Sequence, residues 1–322
     1  MSATPKRPLD VVALGGGHGL AASLKALRKV TPHLTAVVGV SDDGGSSGRI
    51  REQFGVLPPG DLRMALAALC GDDTWGSTWA RVLQHRFTSA GDLDGHSLGN
   101  LLITALWEET EDIVTGLEWV ARLLDARGRV LPLSIEPLEI IANVVTQSGK
   151  HERVHGQVEV ATTAHEIQSI ELQPSDPKVC AQAVTAVMEC DAVVLGPGSW
   201  YTSVLTHFQV PEMAAALHAT TAARVLVLNL KAQSGETAGY LPTKYLEVLA
   251  TSHPDFRLDY VIADPGHVGD TESLIAMAAE VGAKVHFAKV GTEPGPSDQH
   301  DSVLLASAFN SILTHGRISP WQ

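Results

Sequence analysis

The sequence predicts an α/β fold: a Rossmann-like, doubly wound and mainly parallel sheet that carries an antiparallel β insertion. Three observations predict it. Short apolar runs of strand length recur along the chain, and most are separated by segments of helical periodicity. Two of these runs end in glycine loops that open helices, Gly15-Gly16-Gly17-His18-Gly19 and Gly196-Pro197-Gly198-Ser199. Between residues 129 and 173 the texture changes to strand-like runs in close succession, with turn signals and no helix pattern between them. The chain is therefore read as one Rossmann-like unit over residues 8–322 with a β-rich insertion over 129–173, and 322 residues suffice for a substantial core.

The first apolar run, Leu9 to Leu14, leads through the glycine loop into a helical pattern from Leu20 to Val30. Strand, glycine loop and helix together place backbone N–H groups and a helix N-terminus against a phosphate. The dinucleotide fingerprint G-x-G-x-x-G is not met, because Leu20 stands where its third glycine would fall, and this counts against an NAD-dependent dehydrogenase.

A second strand, Leu34 to Val40, completes a βαβ unit and delivers Asp42 and Asp43 to its carboxyl end, where open parallel sheets bind ligands. The following stretch, Ser41 to Arg63, reads as a long connection with five glycines, three serines and three arginines, and a connection of that length is usually functional. Glycines let the backbone approach a ligand, while Ser46, Ser47, Arg49 and Arg63 can donate to phosphate. Asp42, Asp43 and Gly44 could equally form a tight turn, but arginine forks add nothing to a turn.

Helices are expected over Asp61 to Leu69, capped by Asp61, and over Trp79 to Phe87. Gly95 to Asn100 then leads into an apolar helix, Leu101 to Trp107, with His96 and Asn100 four apart and available to a sugar or phosphate. As alternatives, Asn100 caps a helix and His96 is a surface residue. Strand-like runs follow at Gly128 to Ser134, Leu138 to Thr146, Gln157 to Thr162 and Ser169 to Leu172. Helical pattern resumes from Asp176 to Cys190, and a strand, Ala192 to Leu195, runs into Gly196-Pro197-Gly198 with Ser199 and Thr202 opening the next helix. Further strands are read at Arg224 to Leu230, Tyr260 to Ala263 and Lys284 to Phe287, and helices at Thr243 to Ala250, Thr271 to Val281 and Asp301 to Leu313. Gly291 to His300 reads as a loop.

The formal net charge of −13 disfavours nucleic acid or an anionic membrane surface as a partner. No apolar segment approaches the roughly 18 residues of a membrane span, and the start carries no signal core, so a cytoplasmic location is expected. Cys70, Cys180 and Cys190 are odd in number and far apart, which favours buried free thiols over disulfides. None of the fourteen histidines falls in a zinc-ligand spacing.

Five motifs taken together, LGGGHGL at 14–20, SDDGGSSGRIR at 41–51, PPGDLR at 58–63, GHSLGN at 95–100 and GPGSWYTS at 196–203, resemble the gluconeogenesis factor (YvcK-like) family, which is related to the 2-phospho-L-lactate transferases. The resemblance implies a cytoplasmic protein that binds a UDP-sugar, notably UDP-N-acetylglucosamine, and supports cell shape and peptidoglycan precursor supply on gluconeogenic carbon sources. It implies a cell-wall precursor enzyme or regulator as partner and leaves room for a homo-oligomer. In that reading Gly15 to Gly19, Gly198 and Ser199 hold the diphosphate, Arg49 and Arg63 neutralise it, and Asp42 or Asp43 accepts from a hydroxyl. His96 and Asn100 contact the sugar, and Asn229 and Asp264 stand near the nucleoside. The alternative is a nucleotidyl or phospholactyl transferase, with Asp42 or Asp43 holding Mg²⁺ on a nucleotide diphosphate. No nucleophile with an evident base is seen, which favours a sensor that binds without turnover.

Overall fold

The structure, a computed structural model, describes residues 7–292 and 299–315. It opens with β1 (Asp10–Gly15), α1 (Gly17–Leu27) and β2 (His33–Val38), a βαβ unit in which Val11 pairs with Leu34 and Leu14 with Val37. Five helices follow: α2 (Gly45–Phe54), α3 (Gly60–Leu69), α4 (Thr74–Gln84), α5 (Leu98–Thr110) and α6 (Ile113–Leu124). They lead to β3 (Arg129–Pro132), which pairs in parallel with β2. The insertion comprises β4 (Glu139–Val145), β5 (His151–His155), α7 (Gln157–Thr162) and β6 (Glu166–Gln173). The chain returns through α8 (Ala181–Glu189) and β7 (Ala192–Leu195) to a π-helical turn, Trp200–Val204, and a 3-10 turn, Leu205–Gln209. It ends with α9 (Pro211–Ala219), β8 (Ala223–Val227), α10 (Pro242–Ser252), β9 (Tyr260–Ala263), α11 (Pro265–Val268), α12 (Thr271–Glu280), β10 (Lys284–Phe287) and α13 (Ser302–His315).

Seven strands form one parallel sheet in the order β10-β9-β8-β7-β1-β2-β3. Its central strands are apolar over most of their length, as Val11 to Leu14, Ala36 to Val38 and Ala192 to Leu195 show, because helices cover both faces. The connections step one way from β1 and the opposite way from β7. Right-handed crossovers therefore put the two sets of helices on opposite faces. On one side α1 packs with α3 and α13, and on the other α8 packs with α9 and α10 with α12.

A second, antiparallel sheet of order β5-β4-β6 forms the insertion, with Ile141, Ala142, Ile170 and Leu172 buried. It begins later than residue 129, because β3 is the edge of the main sheet. A short apolar run looks the same in a parallel edge as in a hairpin, so the sequence could not separate the two. Gln157–Thr162 is a helix rather than a strand, despite its alternating β-branched residues, and β5 precedes it. Residues 41–63 are not one open connection, since α2 occupies their centre. Asp61 does not cap α3, whose cap residue is Pro59. Residues 293–298, inside the expected loop Gly291 to His300, lie outside the described residues, as do residues 316–322. The three cysteines are free and buried. Among the described residues no helix is long and apolar enough to cross a membrane.

Candidate functional site

The reversal of strand order lies between β1 and β7, so the loops after these strands flank a crevice at the carboxyl edge of the sheet. The two loops touch backbone to backbone. A Cβ on Gly19 would fall 1.8 Å from the Pro197 carbonyl oxygen, which is why a glycine is required in the first turn of α1. Beside this contact opens a crevice of about 910 Å³, lined by His18, Ser199, Asn229, Gln233 and His300 among others. It runs from the N-terminus of α1 to that of α13.

The loop after β7 is committed internally. Asn229 accepts from the Gly198 N–H at 2.7 Å and donates to the Gly198 carbonyl at 2.8 Å, so Gly198 does not offer its N–H to a phosphate as expected. Ser199 Oγ donates to Gln233 at 3.1 Å. The N–H groups of Tyr201 and Thr202 donate to the buried carboxylate of Glu236 at 3.2 and 3.3 Å. Burial pushes the Glu236 pKa up to about 7. Thr202 therefore belongs to a helix start already occupied by a carboxylate of the chain itself. Sequence reading missed Glu236, because nothing in its spacing links loop 231–240 to residues 201–202. Gly196 continues the strand pairing by donating to Leu14 O.

The loop after β1 is different. Gly15 ends the strand and accepts from Gly39 N–H, while Gly16 caps α1 without any side-chain hydrogen bond. The half-buried carboxyl of Asp61 reaches across from α3, its Oδ2 2.5 Å from where a Gly16 Cβ would lie. Burial, then the neighbouring Asp42 carboxylate, push the Asp61 pKa up to about 7, while the Gly17 N–H opposes the shift. Two neighbouring carboxyl groups thus stand near the N-terminus of α1. The second member is half-buried: Asp42 Oδ1 accepts from Gly44 N–H at 3.0 Å, and its Oδ2 lies 2.9 Å from the position of a Gly60 Cβ.

Asp43 points elsewhere. Its two oxygens accept from the N–H groups of Gln157 and Val158 at 2.9 and 3.0 Å, capping α7 and tying the insertion to the β2 loop. This removes it from the set of ligand or metal contacts. The Asp264 carboxylate is likewise filled by the N–H groups of Gly266, Val290 and Gly291, so it organises the β9 loop rather than facing a nucleoside.

Ser46, His96 and Asn100, expected to face phosphate and sugar, converge on each other. Ser46 Oγ accepts from Asn100 Nδ2 at 3.0 Å and from Ser97 N–H at 3.3 Å. Its own proton is then directed to His96 Nδ1, 3.1 Å away. Burial, then Arg49 and Arg86, lower the His96 pKa, which keeps this imidazole neutral and able to accept. Ser47, also buried, packs its hydroxyl against Gly60 at the start of α3. Arg49 donates to the carbonyls of Asp92 and Asp94. Arg63 is only 4% exposed, and its Nε and Nη1 are buried without a partner.

No group of three or more metal-ligating side chains exists among the described residues. Asp42 and Asp61 supply two carboxylates, so Mg²⁺ fits here with water and the oxygens of a bound diphosphate completing its shell.

Fold and site together define a Rossmann-like α/β protein with a glycine-lined crevice at the topological switch point. The family model for 2-phospho-L-lactate transferase CofD matches residues 11–291, and the chain belongs to this family. It is 48% identical over 308 residues to a Mycobacterium tuberculosis protein named, provisionally, a gluconeogenesis factor, covering 94% of this chain and 90% of that one. It is 40% identical over 239 residues to the gluconeogenesis factor of Listeria monocytogenes, covering 74% and 72% of the two chains. The crystal structure of a UPF0052-family protein from Bacillus halodurans superposes with a TM-score of 0.83 at 30% identity, covering 94% of this chain and 99% of that one.

Proposed function

We propose that this protein binds a UDP-sugar, UDP-N-acetylglucosamine or a close relative, and reports its level without turning it over. The observation that carries the reading is the glycine-rich N-terminus of α1, which sits at the switch point beside the 910 Å³ crevice. The diphosphate lies over Gly16 to Gly19, and the nucleoside extends past Ser199 towards Asn229. As in the family it resembles, the protein acts in the cytoplasm to sustain peptidoglycan precursor supply and cell shape during gluconeogenic growth, through a cell-wall precursor enzyme or regulator.

The second reading is a phospholactyl or nucleotidyl transferase, favoured by the Asp42 and Asp61 pair beside the α1 N-terminus. In that reading the two carboxylates hold Mg²⁺ against the diphosphate, and the metal supplies charge neutralisation in phosphoryl transfer. Calorimetry with UDP-N-acetylglucosamine, with and without Mg²⁺, followed by mass spectrometry of the recovered ligand, separates the two. Binding without metal and an intact ligand support the sensor. A cleaved ligand supports the transferase, and absence of binding refutes the UDP-sugar assignment.

A further inference from the structure

Helix α7 is six residues long, and its sequence, QVEVAT, favours a strand locally. A helix this short does not sustain itself in water, so α7 persists only because both of its ends are held from outside. At its start, Asp43 in the loop after β2 takes the N–H groups of Gln157 and Val158 at 2.9 and 3.0 Å. At its end, the loop after β8 is pressed against the last turn. Glu236 N–H donates to Ala161 O at 3.2 Å, and a Cβ on Gly235 would lie 2.1 Å from that same oxygen.

The loop that holds the end of α7 is also a wall of the crevice. Gln233 and Ser234 line the crevice, and so does Ala161 of α7 itself. Gln233 accepts from Ser199 Oγ at 3.1 Å and donates its N–H to Thr237 Oγ1 at 3.1 Å. Glu236, 3% exposed, fixes the loop to the π-helical turn through the N–H groups of Tyr201 and Thr202. That turn reaches the insertion directly as well, because Tyr201 Oη donates to Ile167 O in β6 at 3.4 Å. Ahead of α7, Gly156 N–H donates to Ile140 O in β4 at 2.9 Å, and behind it the chain enters β6 at Glu166. A change in α7 is therefore passed to the antiparallel sheet on both sides.

We propose that α7 is a strap between the crevice and the insertion: a ligand that holds loop 231–240 against Ala161 tightens the helix, an empty crevice lets it loosen, and the order of the insertion thereby reports occupancy. The inference rests on the crevice being the ligand site, and it supplies the output that a binding protein without turnover needs. The two-state element is α7, in which a local strand preference opposes two external holds. Asp43 supplies a constant hold, and loop 231–240 supplies the one a ligand can strengthen. Glu236 acts as a positioning residue, setting where that loop meets the helix.

Hydrogen exchange on the full chain, read by mass spectrometry, tests the strap first without any ligand. Asp43→Ala releases the start of α7, and the amides of residues 234–238, which Asp43 does not touch, should exchange at least about fivefold faster while β9 stays unchanged. Gly235→Ala pushes on the other end and should speed the amides of Gln157 and Val158 by about the same factor. Should either variant fail to fold, Asp43→Asn, which keeps one acceptor, is expected to give a smaller effect of the same kind. With UDP-N-acetylglucosamine as probe, the parent should gain protection in residues 231–238, in α7 and in β6, and Asp43→Ala should confine the gain to residues 231–238. The proposal is overturned if the effect of each substitution ends at its own side of the contact, or if the probe protects the loop and leaves residues 157–173 unchanged. A probe that protects nothing refutes the UDP-sugar reading, while the comparison without ligand still decides the strap.

Discussion

Replacing Asp61 by Asn removes a carboxylate that the fold holds protonated well above its ordinary range. The Asp61 pKa stands at about 7 against an ordinary value of 3.8, so the folded chain binds this proton more tightly than the unfolded chain. By linkage, a raised folded-state pKa gives stability that is complete below the unfolded pKa and is lost as pH rises through the folded one. A displacement of this size corresponds to about 4 kcal/mol at most, of which about 3 kcal/mol is lost between pH 5 and pH 8. With an unfolding entropy near 2.1 cal/mol/K per residue, that loss is about 4 °C in Tm for a chain of this size. Asp61→Asn keeps the shape and an acceptor for Gly17 N–H but cannot ionise. Its Tm should therefore rise relative to the parent by about 4 °C on going from pH 5 to pH 8. Glu236 is displaced in the same direction, so the quantity to measure is the difference between variant and parent, in which Glu236 cancels. Calorimetric scans at four pH values supply it. A difference that stays flat from pH 5 to pH 8 would show that Asp61 ionises normally, and the carboxylate-pair argument would fall with it.

Three further outcomes are expected. Asp43→Ala should cost about 1 kcal/mol in chemical denaturation by uncapping α7 and leave UDP-sugar affinity unchanged, whereas Asp42→Ala should weaken binding by about 1–3 kcal/mol in calorimetry. The reverse pattern would reinstate Asp43 as the ligand contact. Gly19→Ala should destabilise by about 3 kcal/mol or more, since backbone lies where the new methyl must go, and a normal Tm would disprove the loop apposition. Glu236→Ala should cost about 1–3 kcal/mol by stranding the Tyr201 and Thr202 N–H groups, with Glu236→Gln milder because an acceptor remains. Equal costs for the two would show that the hydrogen bonds are not the source.

The parallel sheet was legible because its strands are uninterrupted apolar runs joined by glycine loops, and that pattern has few other readings. Helix α2 was not, because Gly45, Ser46, Ser47 and Gly48 are poor helix formers whose conformation is fixed by tertiary bonds such as Ser46 to Ser97 and Asn100. Helix α7 was misread for the same reason in reverse: QVEVAT favours a strand locally, and the Asp43 cap, 114 positions away in sequence, supports the helix. In the site, residue types indicated where polar groups gather but not which way they point. Asp43, Asp264 and Asn229 all sit near the ends of strands, yet each spends its hydrogen bonds on neighbouring backbone.

The pairing between β7 and β8 stops at Leu195 and Leu226, after which the two chains diverge around the crevice. One side chain carries the ladder a rung further, because the Asn229 amide offers Gly198 one acceptor and one donor, as a peptide group would. The mouth of the crevice is thereby gauged by the length of a single amide side chain. Glutamine would lengthen this spacer by a methylene, and aspartate would set two acceptors against a carbonyl and one N–H. A gauge of this kind makes residue 229 the position at which to tune the width of the opening without altering the glycine loop at the N-terminus of α1.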